Sequence, residues 1–404
     1  MPERGSYAVA QVFMSRDSVV SNKCVKLFEQ TVAESGLDML GWREVTVNHY
    51  GCGPGARLTM PHIRQAFIGF KNDCQNIEKE LYLLRRLLEK SITRIHSDFY
   101  IASLSTKTIC YKGMLHAHQM RQFYPELENP KMVSGFAIVH SRFSTNTLPS
   151  WSKAQPCRYI AHNGEINTLR GCETAAVSLA ANISGGELGA RVSDALPILD
   201  PGGSDSMKFD NTLEFLINSG KDIVRSLMMM VPGAWSKEKN MPEQLKAFYE
   251  YSACLMPPWD GPAAITFTDG RLVGALLDRN GLRPARWILT RDGRFVLASE
   301  SGVLDMSPEQ IVQKGRLGPG QMIVLDTATG ELAEDKEIKE RYSSGAAAAW
   351  LDNERIAASS LPIEPERTDP KGMHMLFGYT HEDVMNIILP MARTGSEPVG
   401  SMGY

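Results

Sequence analysis

The chain has 404 residues and a mass of 44.7 kDa, so two units, or one large layered domain with an appendage, are expected. Its 43 Lys and Arg residues against 46 Asp and Glu residues give a net charge of −3, which excludes an electrostatic nucleic-acid binder. Hydrophobic residues make up 43%, and no apolar stretch approaches the roughly 20 residues of a membrane helix, so disordered, fibrous and membrane-spanning chains are excluded.

Strands and helices alternate in the pattern of the first 111 residues. Apolar residues recur at helical spacing between Ile77 and Leu88, which predicts an amphipathic helix with Asn72 or Asp73 as its N-cap. The other elements predicted here are strands over 7–13, 42–47, 63–70, 99–104 and 108–111, and a helix over 18–35 that Gly36 ends.

The rest of the chain predicts separate groups of helices and hairpins. A strand over 135–144 is predicted to lead into a polar cluster, an arrangement typical of functional sites. Helical patterns cover 209–230 and 242–255, whereas 261–300 alternates short β-rich runs with turn signals such as Asn280-Gly281, as antiparallel hairpins do. Because helices and hairpins are segregated, we expect a layered α+β fold and not a doubly wound parallel sheet. Polar, alanine-rich and proline-containing sequence predicts a linker beginning near 335.

Cysteine usage and the N-terminus exclude several other classes. The seven cysteines are scattered without a Cys-x-x-Cys pair, so neither a disulfide scaffold nor a zinc ribbon is expected. There is no cluster-like cysteine array and no Gly-x-Gly-x-x-Gly motif, and we expect no cofactor or metal to bind this chain. The chain does not open with a basic region followed by an apolar run, so the expected location is the cytoplasm, or a plastid.

The first of three polar clusters covers residues 140–146, at the end of the predicted strand. Arg142 presents a planar fork of donors that suits a carboxylate, and Thr145 and Asn146 add short hydrogen-bonding side chains. The alternative interpretation is an arginine in an ordinary salt bridge above a strand-to-loop turn.

Two further clusters also allow a structural and a functional interpretation. Asn163-Gly164 is a hairpin turn signal, but an amide side chain beside an unobstructed glycine N–H also supplies two donors to one oxyanion. Asp205 precedes a predicted helix, so it could cap that helix or receive a substrate ammonium group. With Arg142, these groups complement an amino acid undergoing acyl transfer, although no recognisable nucleophile accompanies them.

Five long segments occur in one order that a known family shares. They are HSRFSTNTLPSWSKAQPCRYIAHNGEINTLRG (140–171), PGGSDSMKFDNTLEFL (201–216), FYEYSACLMPPWDGPAAITFTDG (248–270), LDRNGLRPARW (277–287) and GYTHEDVMNIILPMARTGSEPVGSMG (378–403). The first four resemble the class II glutamine amidotransferase domain of the glutamate synthase large-chain family, and the last resembles the start of its central region. The resemblance implies a truncated glutaminase domain over 1–335, with a linker and the start of the central region over 336–404. The implied fold is a four-layer αββα sandwich of the N-terminal nucleophile hydrolase type.

The same resemblance implies a function and a set of site residues. L-Glutamine is hydrolysed to glutamate and ammonia, and the ammonia serves glutamate synthesis from 2-oxoglutarate. Arg142 is implied to clamp the α-carboxylate with Thr145 in the same loop, Asn163 and Gly164 to form the oxyanion hole, and Asp205 to receive the α-amino group. For the full-length protein the resemblance implies FMN, an iron–sulfur cluster and NADPH, NADH or ferredoxin as electron donor, none of them bound by this chain. The implied partners are the rest of the large chain and a small electron-delivering subunit.

The start of the chain departs from the family pattern. In the family the nucleophile is an N-terminal cysteine whose own amine is the general base, whereas this sequence begins Met1-Pro2-Glu3. We therefore expect the nucleophile and its surrounding strands to be missing, and the chain alone not to hydrolyse glutamine. Residues 171–198 also diverge from the family's usual sequence.

Two other interpretations stay open. The glutaminase of another class II amidotransferase, such as the purine-pathway phosphoribosyl enzyme, has a loose counterpart of 278–284, although the segment from Gly378 argues against it. A remnant without a nucleophile would bind glutamine or a partner without catalysis. That remnant predicts a stable fold, whereas a fragment predicts exposed sheet edges and apolar patches.

Overall fold

The computed structural model describes residues 2–3, 5–71, 74, 76–145, 147–182, 186–343, 345, 347–356 and 372–398. Its strands are β1 Tyr7–Met14, β2 Asp38–Glu44, β3 His62–Gly69, β4 Tyr100–Ser105, β5 Ile160–Gly164, β6 Ala263–Thr268, β7 Leu272–Leu277, β8 Arg286–Thr290, β9 Phe295–Ala298, β10 Ile311–Arg316, β11 Met322–Asp326 and β12 Leu332–Glu334. Its α-helices are α1 Ser18–Glu34, α2 Pro54–Leu58, α3 Ile77–Ile92, α4 Gln119–Phe123, α5 Leu169–Asn182, α6 Val192–Ala195, α7 Asp205–Asn218, α8 Ile223–Met230, α9 Glu243–Leu255, α10 Asp335–Ser343, α11 Ala347–Glu354, α12 Met373–Leu376, α13 His381–Asp383 and α14 Leu389–Thr394. Two compact units cover residues 1–351 and 352–404.

The first sheet is antiparallel, in the order β2-β3-β1-β4. Side chains alternate along β1, so that Val12 packs with Phe28 of α1 and Leu84 of α3 on one face, while Phe13 enters the larger core beside Tyr100 on the other. The spacing of apolar residues in β1 therefore fixes which face the two helices cover.

The second sheet carries the candidate site on its edge strand. Its order is β12-β11-β7-β6-β5, and all its pairs are antiparallel. Ile265 and Phe267 of β6 pack in the core that also holds Leu227 of α8 and Phe248 of α9. On the opposite face, residues of β7 pack with Trp287 of a third sheet, ordered β10-β8-β9. Helices thus cover one face of the second sheet and another sheet covers the other.

Several predicted elements are confirmed by these bounds. The strands β1, β3 and β4 and the helices α1, α3 and α9 lie where the sequence pattern predicts them, and β6–β7 and β8–β9 are antiparallel pairs. Helices and several antiparallel sheets together confirm the α+β class.

Two predicted strands are wrong. Residues 108–111 form no strand, and the Cys110 N–H instead donates to Ser103 Oγ at 3.0 Å. Residues 135–144, all of them described, also form no strand, and Val139 there is 85% exposed. A strand needs a neighbour for its backbone donors and acceptors, and no described strand pairs with this apolar run.

Some element boundaries also differ from the prediction. The helix expected over 209–230 is two helices, because Gly220, with φ of 98°, follows the end of α7. The strand expected over 42–47 is β2, which begins and ends earlier. Asn76 caps α3 by accepting from the Lys79 N–H at 3.3 Å, so the predicted caps Asn72 and Asp73, which lie outside the described residues, are wrong.

The compact first unit runs through α10, which contacts β11 and α9. The boundary near residue 335, between a glutaminase domain over 1–335 and a linker with the start of the central region over 336–404, stays a prediction. The second unit contains α12 to α14, with a π-helical turn over Val384–Ile388. Among the described residues, no helix is both long and apolar enough to span a bilayer.

Candidate functional site

Strand β5 is held at its start by a buried carboxylate of α7. Asp210, 1% exposed, accepts hydrogen bonds from the backbone N–H groups of Arg158, Tyr159 and Ile160 at 3.1, 2.9 and 3.1 Å. Burial, helped by the nearby Glu214 carboxylate, raises the pKa of Asp210 to about 6, although the backbone donors and Arg158 oppose that shift. One side chain therefore fixes the three residues that lead into the strand.

The middle and the end of β5 are anchored as well. The Gln155 amide donates to the His162 carbonyl at 2.8 Å and accepts from the His162 N–H at 2.6 Å, so it takes the place of a neighbouring strand. At the other end, Asp205 Oδ2 accepts from the Ile166 N–H at 3.0 Å. Helix α7 thus holds the strand at both ends.

Asn163 and Gly164 are strand residues, so the hairpin-turn interpretation of this pair is wrong. They pair with Ala264 and Ala263 of β6. A Cβ on Gly164 would overlap the carbonyl oxygen of Pro262, because the two backbones cross closely here and Glu165 N donates to that oxygen at 3.1 Å. Only glycine fits this crossing.

Asp205 is not the N-cap of α7. Ser204 is the cap, because its side chain accepts from the Met207 N–H at 3.3 Å, and Asp205 is the first helical residue. Asp205 is 7% exposed, and its carboxylate turns toward the end of β5, where it accepts from the Ile166 N–H. The structure therefore brings Asp205 together with the strand that carries Asn163 and Gly164.

A chain of buried hydroxyl and imidazole groups lies beside these residues. Ser144 Oγ lies 2.8 Å from Ser206 Oγ, which lies 2.8 Å from His162 Nδ1. His162 is 2% exposed, its Nε2 has no hydrogen-bond partner among the described residues, and burial lowers its pKa to about 4. The imidazole is therefore neutral at pH 7. Sequence analysis missed His162 and Ser206, although both adjoin residues it singled out.

Arg142 and Thr145 are exposed and belong to no helix or strand. Neighbouring residues hold their segment beside the site, since Ser144 Oγ lies 2.8 Å from Ser206 Oγ and His140 lies close to the backbone of His162. The structure thus places this segment beside β5 without giving Arg142 a salt bridge within the described chain, contrary to the salt-bridge alternative. Asn146 lies outside the described residues.

The chain matches known families along most of its length. Residues 1–348 match the class II glutamine amidotransferases, and residues 373–404 match the glutamate synthase central domain. The chain belongs to the class II glutamine amidotransferases. This finding confirms the resemblance seen in the sequence.

The chain is similar to several glutamate synthases. It is 40% identical to the glutamate synthase [NADPH] large chain of Bacillus subtilis, and the match covers all of this chain and 27% of that protein. It is 42% identical to 20% of the glutamate synthase [NADH] of Schizosaccharomyces pombe, again over its full length. It is 40% identical to the chloroplastic ferredoxin-dependent glutamate synthase 2 of Arabidopsis thaliana, and this match covers 99% of this chain and 25% of that protein. The chain spans about a quarter of the length of these relatives.

Proposed function

We propose that this chain is the glutamine-hydrolysing part of a glutamate synthase, releasing ammonia from L-glutamine for glutamate synthesis from 2-oxoglutarate elsewhere in a longer protein. The observation that carries the proposal is the fixed end of β5, where Asn163 and Gly164 lie beside the buried Asp205 carboxylate. Donors held before the reaction begins stabilise a developing oxyanion without reorganisation.

In the proposal each site residue meets one group of glutamine. The Asn163 amide and the Gly164 N–H stabilise the oxyanion on the side-chain carbonyl, and Asp205 receives the α-ammonium group. Arg142 binds the α-carboxylate, with Thr145 beside it on the same segment. Support for Asp205 comes from its burial, and support for Arg142 from its lack of an ion-pair partner in the described chain.

The nucleophile is taken to be the N-terminal cysteine that the family resemblance implies. Burial raises the thiol pKa of Cys24, Cys110, Cys157 and Cys172, whereas a nucleophilic thiol needs a lowered pKa. The direction of these shifts favours none of the four as the nucleophile in the proposed reaction.

The proposal also covers the fold of the domain, its cofactors and its partners. Helices on one face of the second sheet, and the third sheet on the other, support the four-layer N-terminal nucleophile hydrolase sandwich. The iron–sulfur cluster and FMN are proposed to lie elsewhere in the longer protein, and in support of this for the cluster, the described residues bring together no group of three His, Cys, Asp or Glu side chains able to hold a metal. The rest of the large chain and an electron-delivering subunit are the proposed partners.

Titration calorimetry with L-glutamine, and with D-glutamine as the stereochemical control, tests the proposal. We expect D205N to weaken L-glutamine binding about tenfold or more, because it removes the charge that receives the ammonium group. D222N is the matched control, since Asp222 is an exposed N-cap and asparagine caps equally well.

An ammonia-release assay separates the alternatives. Absence of L-glutamine binding, or equal binding of both enantiomers, would overturn the proposal. Binding without release by a protein whose N-terminal sequence and intact mass show no N-terminal cysteine would favour the non-catalytic glutamine-binding alternative.

A further inference from the structure

The loop that follows β7 is built rigidly against the end of β5. Asp278, 2% exposed, accepts from the Ala263 N–H at 3.0 Å and from the Asn280 N–H at 2.9 Å. Its carbonyl oxygen accepts from Gly281 N at 3.0 Å and from Gly320 N at 2.8 Å. Since Ala263 is the strand partner of Gly164, this loop is attached directly opposite the predicted oxyanion site.

Gly281 fixes the shape of the same loop. Its φ is 61°, and a Cβ there would lie 2.7 Å from the Cα of Pro319, so any side chain would have to displace backbone. The Asn280-Gly281 turn joins two different sheets and is not a hairpin. Because the backbone of this loop is fixed, the position of Arg283, the next polar residue, is fixed as well.

Arg283 is a half-buried cation that forms no ion pair within the described part of the chain. Its Nε is buried and has no hydrogen-bond partner, and among the described residues no carboxylate forms an ion pair with it. Arg158 also has a buried Nε without a hydrogen-bond partner, but it pairs with Glu89 at 2.7 Å, and the buried Arg85 pairs with Glu214, so the missing ion pair is what distinguishes Arg283. An unpaired cation with a buried donor is costly unless an anion completes it.

His162 provides a second, independent polar group at the same place. Its unpartnered Nε2 lies so close to Gly164 that a Cβ there would be 2.9 Å away. The groups near enough to affect His162 electrostatically are Asp205, His140 and Arg283. His162 Nε2 therefore lies at the end of β5, and Arg283, which has an unsatisfied Nε of its own, is near enough to act on His162 electrostatically.

We propose that Arg283 binds a carboxylate group at the end of β5, with His162 Nε2 as a second polar contact. Guanidinium is suited to this task because its planar donors match a carboxylate. The identity of the ligand rests on the proposed glutaminase function. The carboxylate is either the γ-carboxylate that hydrolysis creates in glutamate or the α-carboxylate of glutamine, which Arg283 would then share with Arg142.

Acetate is a bare carboxylate that tests the site without assuming the reaction. Thermal unfolding is measured in sodium acetate and in sodium chloride at equal ionic strength and pH 7. We expect acetate to raise the midpoint of the wild-type chain by about 2–4 °C relative to chloride, and not to raise that of R283Q. R294Q is the matched control, because Arg294 is exposed and already paired with Asp292, and it should respond as the wild type does.

R283K keeps the positive charge, and we expect it to retain part of the acetate response even if R283Q folds poorly. Equal acetate responses in the wild type, R283K and R283Q would overturn the inference. Calorimetry then separates the two carboxylates. If R283Q weakens the binding of both glutamine and glutamate about tenfold, Arg283 shares the α-carboxylate with Arg142, whereas weaker binding of glutamate alone assigns the γ-carboxylate to Arg283. An Arg283-dependent acetate response in a chain that binds neither amino acid would uphold the anion site and overturn the proposed function.

Discussion

Strand β5 and the segment that carries Arg142 meet at the same candidate site, but the fold holds them in different ways. β5 is anchored by three buried side chains, Asp210 at its start, Gln155 at its middle and Asp205 beyond its end. Residues 135–145 belong to no helix or strand, and the buried contact that holds them is the one between Ser144 and Ser206. The groups that need the most exact placement, the oxyanion donors, therefore lie on the better-anchored element. Substitutions in the two regions should accordingly separate stability from binding.

D210A should have the largest effect, because it leaves three backbone N–H groups, one buried and two partly buried, without an acceptor. Each unsatisfied buried donor costs about 1–3 kcal/mol, so we expect a loss of about 4 kcal/mol or more in the free energy of unfolding, measured by urea denaturation. D17A is the control, since Asp17 is an exposed N-cap of α1 whose loss costs about 1 kcal/mol. D210N, which keeps one acceptor oxygen, should fall between them. A D210A loss no larger than that of D17A would show that Asp210 does not anchor β5.

H162Q should change how stability depends on pH. The folded pKa of His162, about 4, lies below its unfolded value of 6.5, so its contribution is full above pH 6.5 and is lost as pH falls toward 4. At 1.36 kcal/mol per pKa unit, the wild type should lose of the order of 3 kcal/mol more than H162Q across this window. H118Q is the matched control, because His118 is exposed. Urea denaturation at pH 4.5, 5.5 and 7 measures the difference, and parallel curves for the wild type and H162Q would contradict it.

How far the sequence predicts this site depends on which contacts make it. The spacing of apolar residues is enough to predict that Val12 and Leu84 point into the core, so the first sheet and its helices are predictable. The grouping of Asn163, Gly164 and Asp205 was also predictable, as complementary chemistry and from family resemblance. The role of Asp210 was not, because its three donors lie about 50 residues away and periodicity carries no information about such contacts. Residues 135–144 show the converse error, because their apolar pattern is strand-like while the described chain gives them no pairing partner.

G164A tests whether the end of β5 tolerates any side chain. The new Cβ would overlap the Pro262 carbonyl oxygen and lie 2.9 Å from the Ala263 Cα, so the backbones of β5 and β6 would have to separate. We expect a loss of about 2 kcal/mol in stability, together with loss of L-glutamine binding. G171A is the matched control, because a Cβ there meets open space in α5, and alanine should be neutral or stabilising by up to about 1 kcal/mol. Similar stabilities for G164A and G171A would refute the close crossing.

R142A should have the smallest effect on stability, and it tests the less firmly anchored segment over 135–145. Arg142 is exposed and has no ion-pair partner in the described chain, so its removal should change the free energy of unfolding by no more than about 0.5 kcal/mol. L-Glutamine binding should nevertheless weaken about tenfold or more, because the proposed α-carboxylate contact is lost, and R142K should recover only part of it since lysine lacks the planar fork. Calorimetry and urea denaturation on the same preparations measure both quantities. A large loss of stability in R142A would show that the segment is anchored as firmly as β5, and unchanged affinity would remove Arg142 from the proposed site.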